Sequence, residues 1–270
     1  MAQRIIFGTD KAKWSMKTDW IPKEHGAWGM IGGSFLSVVA VHGRVTPAMI
    51  AFLAGFLFLY FTRVPFLNIA RNKTSSRTYR IIAGFGLVGW LLIILAARFS
   101  HYPLFPLWVL GLVPFFLVEL IFVRRRKPNH FIPQLVGTIG LSGIAALTDA
   151  LWHGAMTVHA LWLWLLNSIF FVAGITIVRQ QIAARAPSPQ GNGYLTLLRV
   201  GVVGYAALGV LWAVLPGQSL PVSWIVLLPV MAEVAVFSLN RLVVHQLKTL
   251  GWLQIAQTVI FVLFLALFTQ

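Results

Sequence analysis

The sequence predicts an all-α membrane protein with nine transmembrane helices. Of its 270 residues, 59% are apolar and only 10% are charged, whereas soluble domains contain about 45–50% apolar and about 25% charged residues. The mean hydropathy of +0.83 excludes ordinary soluble and disordered chains. The absence of cysteine excludes disulfide scaffolds, Cys-ligated zinc, iron–sulfur clusters and thiol catalysis.

Nine apolar runs predict the nine helices in chain order. A membrane-spanning helix needs about 20 mainly apolar residues, with a range of about 17–25. The first run follows a basic segment and lacks a small-residue cleavage site, which predicts a retained helix rather than a signal peptide. The shortest run is expected to extend backwards through Leu195–Leu198. The runs are 26–43, 46–63, 81–98, 104–123, 132–151, 157–178, 200–215, 220–239 and 251–269.

Charged and helix-breaking residues mark where each run starts or stops. Lys and Arg are costly inside the hydrocarbon core, and Gly and Pro weaken or end helices. A single transmembrane domain, 26–270, is therefore predicted after a basic segment, 1–25. Residues of these kinds lie at or near the ends of each run. In chain order they are Gly43 and Arg44 for the first run, Arg63 for the second, Arg80 and Arg98 for the third, Pro103 and Arg124 for the fourth, Gly154 for the fifth, Arg179 for the sixth, Arg199 and Pro216 for the seventh, Arg241 for the eighth and Lys248 for the ninth.

The distribution of basic residues predicts the orientation. With nine spans, the N-terminal segment and the loops 64–80, 124–131, 179–199 and 240–250 share one side of the membrane. That side carries all 21 Lys and Arg residues except Arg44 and Arg98. Because Lys and Arg are retained in cytoplasmic loops, we predict an inner-membrane protein with its N-terminus inside and its C-terminus outside. The net charge of +15 is expected to attract anionic membrane lipids, and no nucleic-acid-binding motif accompanies it.

An internal repeat predicts two parallel halves. Tyr79, Gly86, Gly89 and Pro106 recur 115 residues later as Tyr194, Gly201, Gly204 and Pro221. The pattern favours two four-helix pseudo-repeats, at about 26–127 and 132–243, with the ninth helix outside them. Such repeats often enclose a ligand site at their interface. Chance similarity in an apolar chain that contains many Gly and Pro residues is the alternative.

Acidic residues inside predicted spans are candidate functional groups. An ionisable side chain at a helix centre costs at least about 2.5–3.5 kcal/mol and usually faces a partner or a cavity. Glu119 is expected to form a salt bridge with the Arg124–Lys127 cluster or, as a ligand-site candidate, to position an arginine there. Glu233 lies deeper in its span and is a candidate ligand or proton-relay residue. Asp149, at the end of its span, is interpreted as a cap or interface residue.

The entry to the first helix contains a second candidate group. Glu24 and His25 precede Gly26 in the segment Ile21–Trp28. The imidazole of His25 changes charge near neutral pH, so this pair is a candidate for acid/base or orienting roles. The alternative for Glu24 is a favourable interaction with the helix dipole.

Two basic loops form a candidate anion site. Arg63, Asn68 and Arg71 follow the second span, and Arg179 and Gln180 follow the sixth. Arg binds phosphate groups in a bidentate manner, so these residues are expected to bind an anionic ligand; membrane anchoring is the alternative. The seven histidines show no metal-ligand spacing, so no metal ligand is predicted, and their spacing gives little support for haem.

The segment Ile21-Pro22-Lys23-Glu24-His25-Gly26-Ala27-Trp28 resembles the opening of the YwiC-like bacterial membrane proteins. The basic run Arg124–Lys127 and the stretch from Phe170 to Ile182 also resemble that family. The family is largely uncharacterised, so this resemblance implies a bacterial multi-pass membrane protein and no particular reaction.

The arrangement of helices and loops also resembles the UbiA-type prenyltransferases. That resemblance implies a UbiA-like bundle of nine helices with an inside N-terminus, two four-helix halves and functional loops after helices two and six. Asn68 and Asn72 lie roughly where the first Asp-rich motif of that family would fall, and Gln180 and Ala184 lie roughly at the second. Because these positions lack carboxylates, magnesium binding by the usual Asp-rich route is not expected, and no other cofactor is identified.

These observations favour a cytoplasm-facing cavity that binds an isoprenoid or phosphorylated lipid through arginines. Whether such a protein is an enzyme is left open, because the magnesium motifs that a prenyltransferase uses are absent. A transporter for a small anion is the first alternative, favoured by the parallel repeats and by Glu233. A non-catalytic membrane assembly factor is the second. The sequence does not specify the substrate or the oligomeric state.

Overall fold

A computed structural model describes residues 22, 25–126, 130–185, 189–214, 222–239 and 247–268. Within these residues every regular element is a helix. The elements are α1 (His25–His42), α2 (Pro47–Phe61), α3 (Arg63–Ala70), α4 (Ser76–Phe99), α5 (Phe105–Leu110), α6 (Val113–Arg124), α7 (Phe131–His153), α8 (Val158–Arg185), α9 (Pro189–Val214), a 3-10 helix (Val222–Leu227), α10 (Leu228–Leu239) and α11 (Leu247–Phe268).

Each of the nine predicted spans corresponds to helical structure in the described residues. Six helical segments are long and apolar enough to cross a membrane. They are Pro47–Ala70, Ser76–Phe99, Phe105–Arg124, Phe131–His153, Val158–Ala184 and Thr249–Phe268. The other three predicted spans correspond to shorter apolar helices, Gly26–His42, Gly193–Ala207 and Ile225–Ser238. By helix length and hydropathy, the chain is therefore a multi-pass helical membrane protein.

Two segments predicted as loops are partly helical. After a break at Thr62 the chain continues as α3, with Pro65 in its first turn. Backbone N–H groups in a first turn have no partner within the helix, so the missing N–H of proline costs nothing there. The side chains of Pro65 and Leu67 are buried, which favours the helical conformation. The sixth span likewise continues as α8 as far as Arg185. The predicted starts of the loops 64–80 and 179–199 were therefore wrong, because both segments begin as helix. An arginine can lie on a helix that extends beyond the apolar region.

Helices α2 and α4 approach each other closely through two glycines. A Cβ atom added at Gly55 would lie 2.8 Å from the carbonyl oxygen of Gly89. A Cβ added at Gly89 would lie 2.8 Å from the Leu59 side chain and 2.9 Å from the carbonyl oxygen of Gly55. Small residues of this kind allow helix backbones to pack closely inside a membrane.

Helix α7 lies at the centre of the bundle, where it packs against α1, α6 and α8. Every residue from Ser142 to Leu151 is buried. Gly140 and Gly143 provide room for Phe115 and Leu112, because a Cβ at either glycine would approach those side chains to 2.7 Å. The C-terminal end of α7 consequently meets the end of α1 and the start of α8.

Substitution of Gly89 by Ala should destabilise the protein. The added methyl group has no space beside Gly55 and Leu59, and overpacking of this kind costs about 1–3 kcal/mol. Thermal unfolding in detergent measures the effect. Gly84, on the same helix, would have nothing within 4 Å of an added Cβ atom, so Gly84→Ala is the matched control. Equal melting temperatures for the two variants would contradict the proposed packing.

Single cysteines test the predicted orientation, because the natural chain contains none. Ala155 and Thr74 are exposed and lie between α7 and α8 and between α3 and α4, respectively. With the basic loops inside, a membrane-impermeant maleimide should label Ala155→Cys in intact cells and label Thr74→Cys only after lysis. The reversed labelling pattern would show the opposite orientation.

Candidate metal centre

Four side chains converge at the end of the bundle where α1, α7 and α8 meet. Asp149 is the central residue, and its side chain has no exposed surface. His42 Nε2 lies 2.7 Å from Asp149 Oδ1, and His159 Nδ1 lies 3.1 Å from the same oxygen. His153 Nε2 lies 3.8 Å from Asp149 Oδ2. We call these four residues the His–Asp cluster.

The local sequence explains how α7 and α8 supply three of the four groups. Asp149 and His153 are four residues apart, so they lie on one face of α7. Helix α7 ends at Gly154, whose φ of 65° is a left-handed conformation that favours glycine. Thr157 then caps α8 by accepting a hydrogen bond from the Ala160 N–H at 3.0 Å. This tight connection places His159 in the first turn of α8, facing Asp149.

His42 reaches the cluster from the last residue of α1. Its ring is stacked on Trp152, with 4.5 Å between the ring centroids and an interplanar angle of 17°. The guanidinium carbon of Arg44 lies 4.6 Å from the centre of the Trp152 ring. These contacts fix the orientation of the His42 imidazole and leave its side chain only 10% exposed. Thr157 adds a hydroxyl 3.4 Å from Asp149 Oδ2.

The chemistry and spacing of the His–Asp cluster fit a metal ion. One ligand atom from each of the four residues lies within 4.8 Å of every other. Around a tetrahedral zinc ion, nitrogen and oxygen ligands lie about 2.0–2.2 Å from the metal. Modest shifts of the side chains would bring the four atoms to such positions. Imidazole nitrogens favour zinc, copper and nickel, whereas magnesium and calcium favour oxygen ligands.

The cluster has one open side. The side chains of His153 and His159 are 39% and 36% exposed, while those of Asp149 and His42 are 0% and 10% exposed. An ion can therefore approach from the solvent at this end of the bundle without crossing the apolar core. His153 is also the histidine farthest from the carboxylate, so it is the most adjustable of the three.

Sequence reasoning missed this cluster. It found no metal-ligand spacing among the histidines and interpreted Asp149 as a cap or interface residue. The four-residue spacing of Asp149 and His153 was an available signal, because it places both side chains on one helical face. No local pattern points to His42, which lies 107 positions before Asp149 in the chain. His101 is near this end of the bundle but is not part of the cluster.

The predicted anion-binding residues lie at the other end of the bundle. Arg179 is about 30 Å from His159 along α8, at about 1.5 Å per residue. Arg63 and Glu119 form an ion pair between α3 and α6, with Arg63 Nε 2.9 Å from Glu119 Oε2 and a second contact between Nη2 and Oε1. Glu119 is therefore paired with Arg63, one of the arginines selected from the sequence, whereas its salt bridge was expected with the Arg124–Lys127 cluster.

The other candidates are distributed over different helices. Arg179 of α8 donates a hydrogen bond to Gln134 Oε1 at 2.8 Å. Gln180, the next residue of α8, accepts a hydrogen bond from Gln181 at 2.8 Å. Asn68 lies instead on α3, and Arg71 caps that helix with an exposed side chain. Glu24 and the side chain of His25 lie outside the described residues.

Glu233 lies in α10. Its Oε1 accepts a hydrogen bond from Gln254 Nε2 of α11 at 3.2 Å. The residue is only 8% exposed. It is therefore buried within the bundle, as expected from its position in the eighth span.

A surface groove combines apolar and basic residues at the arginine-rich end. It has a volume of about 640 Å³ and lies against α2 and α4. Phe58, Phe85 and Val88 contribute apolar surface, and Arg77 and Arg80 contribute positive charge. None of the arginines selected from the sequence lines this groove.

Residues 21–149 match the sequence profile of a family described as YwiC-like protein. The matched region contains His42 and Asp149. The chain is also 30% identical over 169 residues to "Uncharacterized protein YwiC" of Bacillus subtilis (strain 168), an alignment that covers 61% of this chain and 68% of that protein. No solved structure is significantly similar to this chain.

Proposed function

The chain belongs to the YwiC-like family, and we propose that it is a membrane protein that binds a divalent transition-metal ion at the His–Asp cluster. Three imidazoles and one carboxylate supply the ligands. The predicted orientation places this site at the outer face of the membrane. The proposed function is therefore metal binding from the extracytoplasmic side.

The convergence of three imidazoles on the fully buried carboxylate of Asp149 carries the proposal. A buried carboxylate is costly unless it is paired and hydrogen-bonded, and here His42, His159 and Thr157 lie around it. Imidazole nitrogens that face a carboxylate can exchange a proton for a metal ion, because metal ligands must be deprotonated. The same groups can therefore support both a metal-free hydrogen-bonded state and a metal-bound state.

The number of ligands favours a tightly held ion over a catalytic one. Structural zinc sites are closed by four protein ligands, whereas catalytic sites keep one position for water. With His42, Asp149, His153 and His159 all bound, the ion joins the ends of α1, α7 and α8. Loss of the exposed His153 would open one coordination position to water.

Purified protein should bind one equivalent of Zn²⁺, and Co²⁺ should give the visible absorption bands of a tetrahedral site. His153→Ala should weaken Zn²⁺ binding by at least about tenfold. Removing a residue that only supports a metal ligand already lowers metal affinity by about that factor, and His153 would be a ligand itself. Isothermal titration calorimetry measures the affinity. Because His153 is partly exposed, this variant is expected to fold.

His101→Ala is the matched control, because His101 is exposed and lies outside the cluster. It should bind Zn²⁺ like the wild type. Zn²⁺ at 100 times its Kd should stabilise the wild type by about 2.7 kcal/mol and so raise its melting temperature, and the same concentration should stabilise His153→Ala less. Equal affinities for the wild type and His153→Ala, or no binding to a folded wild type, would contradict the proposal.

A second candidate function is binding of an anionic lipid, favoured by the groove that Arg77 and Arg80 line. Its apolar side chains suit an acyl or isoprenoid chain, and its two guanidinium groups suit a phosphate headgroup. This candidate retains the isoprenoid or phosphorylated lipid expected from the sequence, at different arginines. The two parallel pseudo-repeats and the UbiA-like bundle stay predictions within it.

Mass spectrometry of co-purified lipids tests this second function. Arg77→Ala/Arg80→Ala should lose a phosphorylated or isoprenoid lipid that the wild type retains, because the groove then lacks its positive charge. Arg124→Ala/Arg125→Ala removes two other exposed arginines and is the control. Identical lipid profiles for wild type and both variants would exclude specific binding in the groove.

A further inference from the structure

Glu233 presents an unsatisfied carboxyl oxygen inside the bundle. Its Oε1 accepts the hydrogen bond from Gln254. Its Oε2 is buried and has no hydrogen-bond partner within the described part of the chain. Glu233 lies within an apolar segment, Ile225–Ser238, and the neighbouring Val234 and Phe237 belong to a buried hydrophobic cluster. A polar atom in such a place is costly unless something binds to it.

Glu233 also differs from the other acids of the described residues. Glu119 is paired with Arg63, and Asp149 is surrounded by imidazoles. Glu233 has no ion-pair partner among the described residues. A carboxylate without a cation is strongly disfavoured in an apolar interior, whereas the protonated acid is neutral and its hydroxyl can donate a hydrogen bond.

The charged and titratable groups on the helices that pack against α10 do not supply a cation to Glu233. Helix α10 packs against α8, α9, α11 and the 3-10 helix. Arg199 donates a hydrogen bond to the Ser238 carbonyl at 3.4 Å, and Arg179 donates one to Gln134. Within the described structure, none of these groups donates a hydrogen bond to Glu233 Oε2. The groups concerned are His159 and Arg179 of α8 and Tyr194, Arg199 and Tyr205 of α9; the side chains of Arg185 and Lys248 lie outside the described residues.

Gly174 of α8 makes room for the amide that holds Glu233. A Cβ added at Gly174 would lie 2.5 Å from Gln254 Oε1. The backbone carbonyl of Gln254 also accepts a hydrogen bond from Thr258 at 2.8 Å. The contact between α8 and α11 therefore positions the Gln254 amide so that its N–H reaches Glu233.

An aromatic layer lies one turn of α8 from Gly174, toward the end that carries the His–Asp cluster. Phe170 is stacked on Phe261 at 4.2 Å between ring centroids and contacts Phe171 edge-on. A Cβ at Gly33 would lie 2.9 Å from the Phe171 ring, so this layer is tightly packed. On the other side of Gly174, the buried Gln181 lies seven residues further along the same face of α8. Buried polar groups therefore lie on both sides of Gly174 along this face, because Asn167, seven residues before it, is buried and accepts a hydrogen bond from Ser37 at 3.0 Å.

We propose that Glu233, held by Gln254, is a proton-binding site within the membrane-spanning bundle. In the neutral state the proton resides on Oε2, the oxygen that otherwise has no partner. In the charged state the Gln254 N–H stabilises the carboxylate through Oε1. This site is separate from the metal-binding function proposed above and does not depend on it.

Labelling with dicyclohexylcarbodiimide tests the proposal in the full chain in detergent. This apolar reagent reacts with protonated carboxyl groups in apolar surroundings. The carboxyl proton moves to a carbodiimide nitrogen, the oxygen bonds to the central carbon, and the acyl group then migrates to nitrogen to give a stable N-acylurea. Peptide mass spectrometry should detect this product on Glu233. Each pH unit above the midpoint should lower the labelling rate about tenfold, because the neutral fraction falls by that factor.

Glu119 is the internal control, because both of its carboxyl oxygens accept hydrogen bonds from Arg63; it should be labelled less than Glu233. Gly174→Ala should displace Gln254 and remove its hydrogen bond to Glu233. Because that hydrogen bond stabilises the charged carboxylate, its loss should shift the labelling midpoint of Glu233 to higher pH. Gly137→Ala, at a position with nothing within 4 Å of an added Cβ, should leave the midpoint unchanged. Absence of labelling at Glu233 at low pH, a rate independent of pH, or equal labelling of Glu119 would overturn the proposal.

Discussion

One end of the bundle depends on the hydrogen bonds that surround the buried carboxylate of Asp149. A carboxylate without exposed surface must be compensated by neighbouring polar groups. His42 comes from α1 and His159 from α8, while Asp149 itself lies on α7. These contacts are possible only if the ends of three helices meet. The small residues Gly140 and Gly143 let α7 occupy the central position that this meeting requires.

The three acids in the described part of the chain are stabilised in three different ways, and each way implies different chemistry. Glu119 is neutralised by the guanidinium of Arg63, so it joins α3 to α6. Asp149 faces imidazoles, which can bind a metal ion through a nitrogen that has lost its proton to the solvent. Glu233 has only the amide of Gln254, which neutralises no charge. Since the apolar interior penalises all three carboxylates, the neighbouring groups decide which one forms an ion pair, which one we propose as a metal ligand and which one we propose as a proton-binding site.

The positions of the spans could be predicted because they depend on local apolar composition. Each run of suitable length corresponds to helical structure, and the backward extension of the seventh run is confirmed by the start of α9 at Pro189. Helix ends were harder to predict. Arg63 and Arg179 stop the apolar pattern but not the helix, because a long basic side chain can lie at the membrane boundary while its backbone remains helical. The salt bridge of Glu119 was expected with the Arg124–Lys127 cluster, whereas Arg63 comes close to Glu119 only because α3 packs against α6.

The sequence by itself determined that this is an all-α, multi-pass membrane protein, because hydrophobic length and composition are properties of each segment alone. It also identified Glu233 as a buried acid, since its position within an apolar run needs no knowledge of neighbours. Only the tertiary structure decided that His42 meets Asp149 and that Gln254 meets Glu233. Those contacts depend on which helices are adjacent and how each is rotated about its axis, and hydropathy does not encode either quantity.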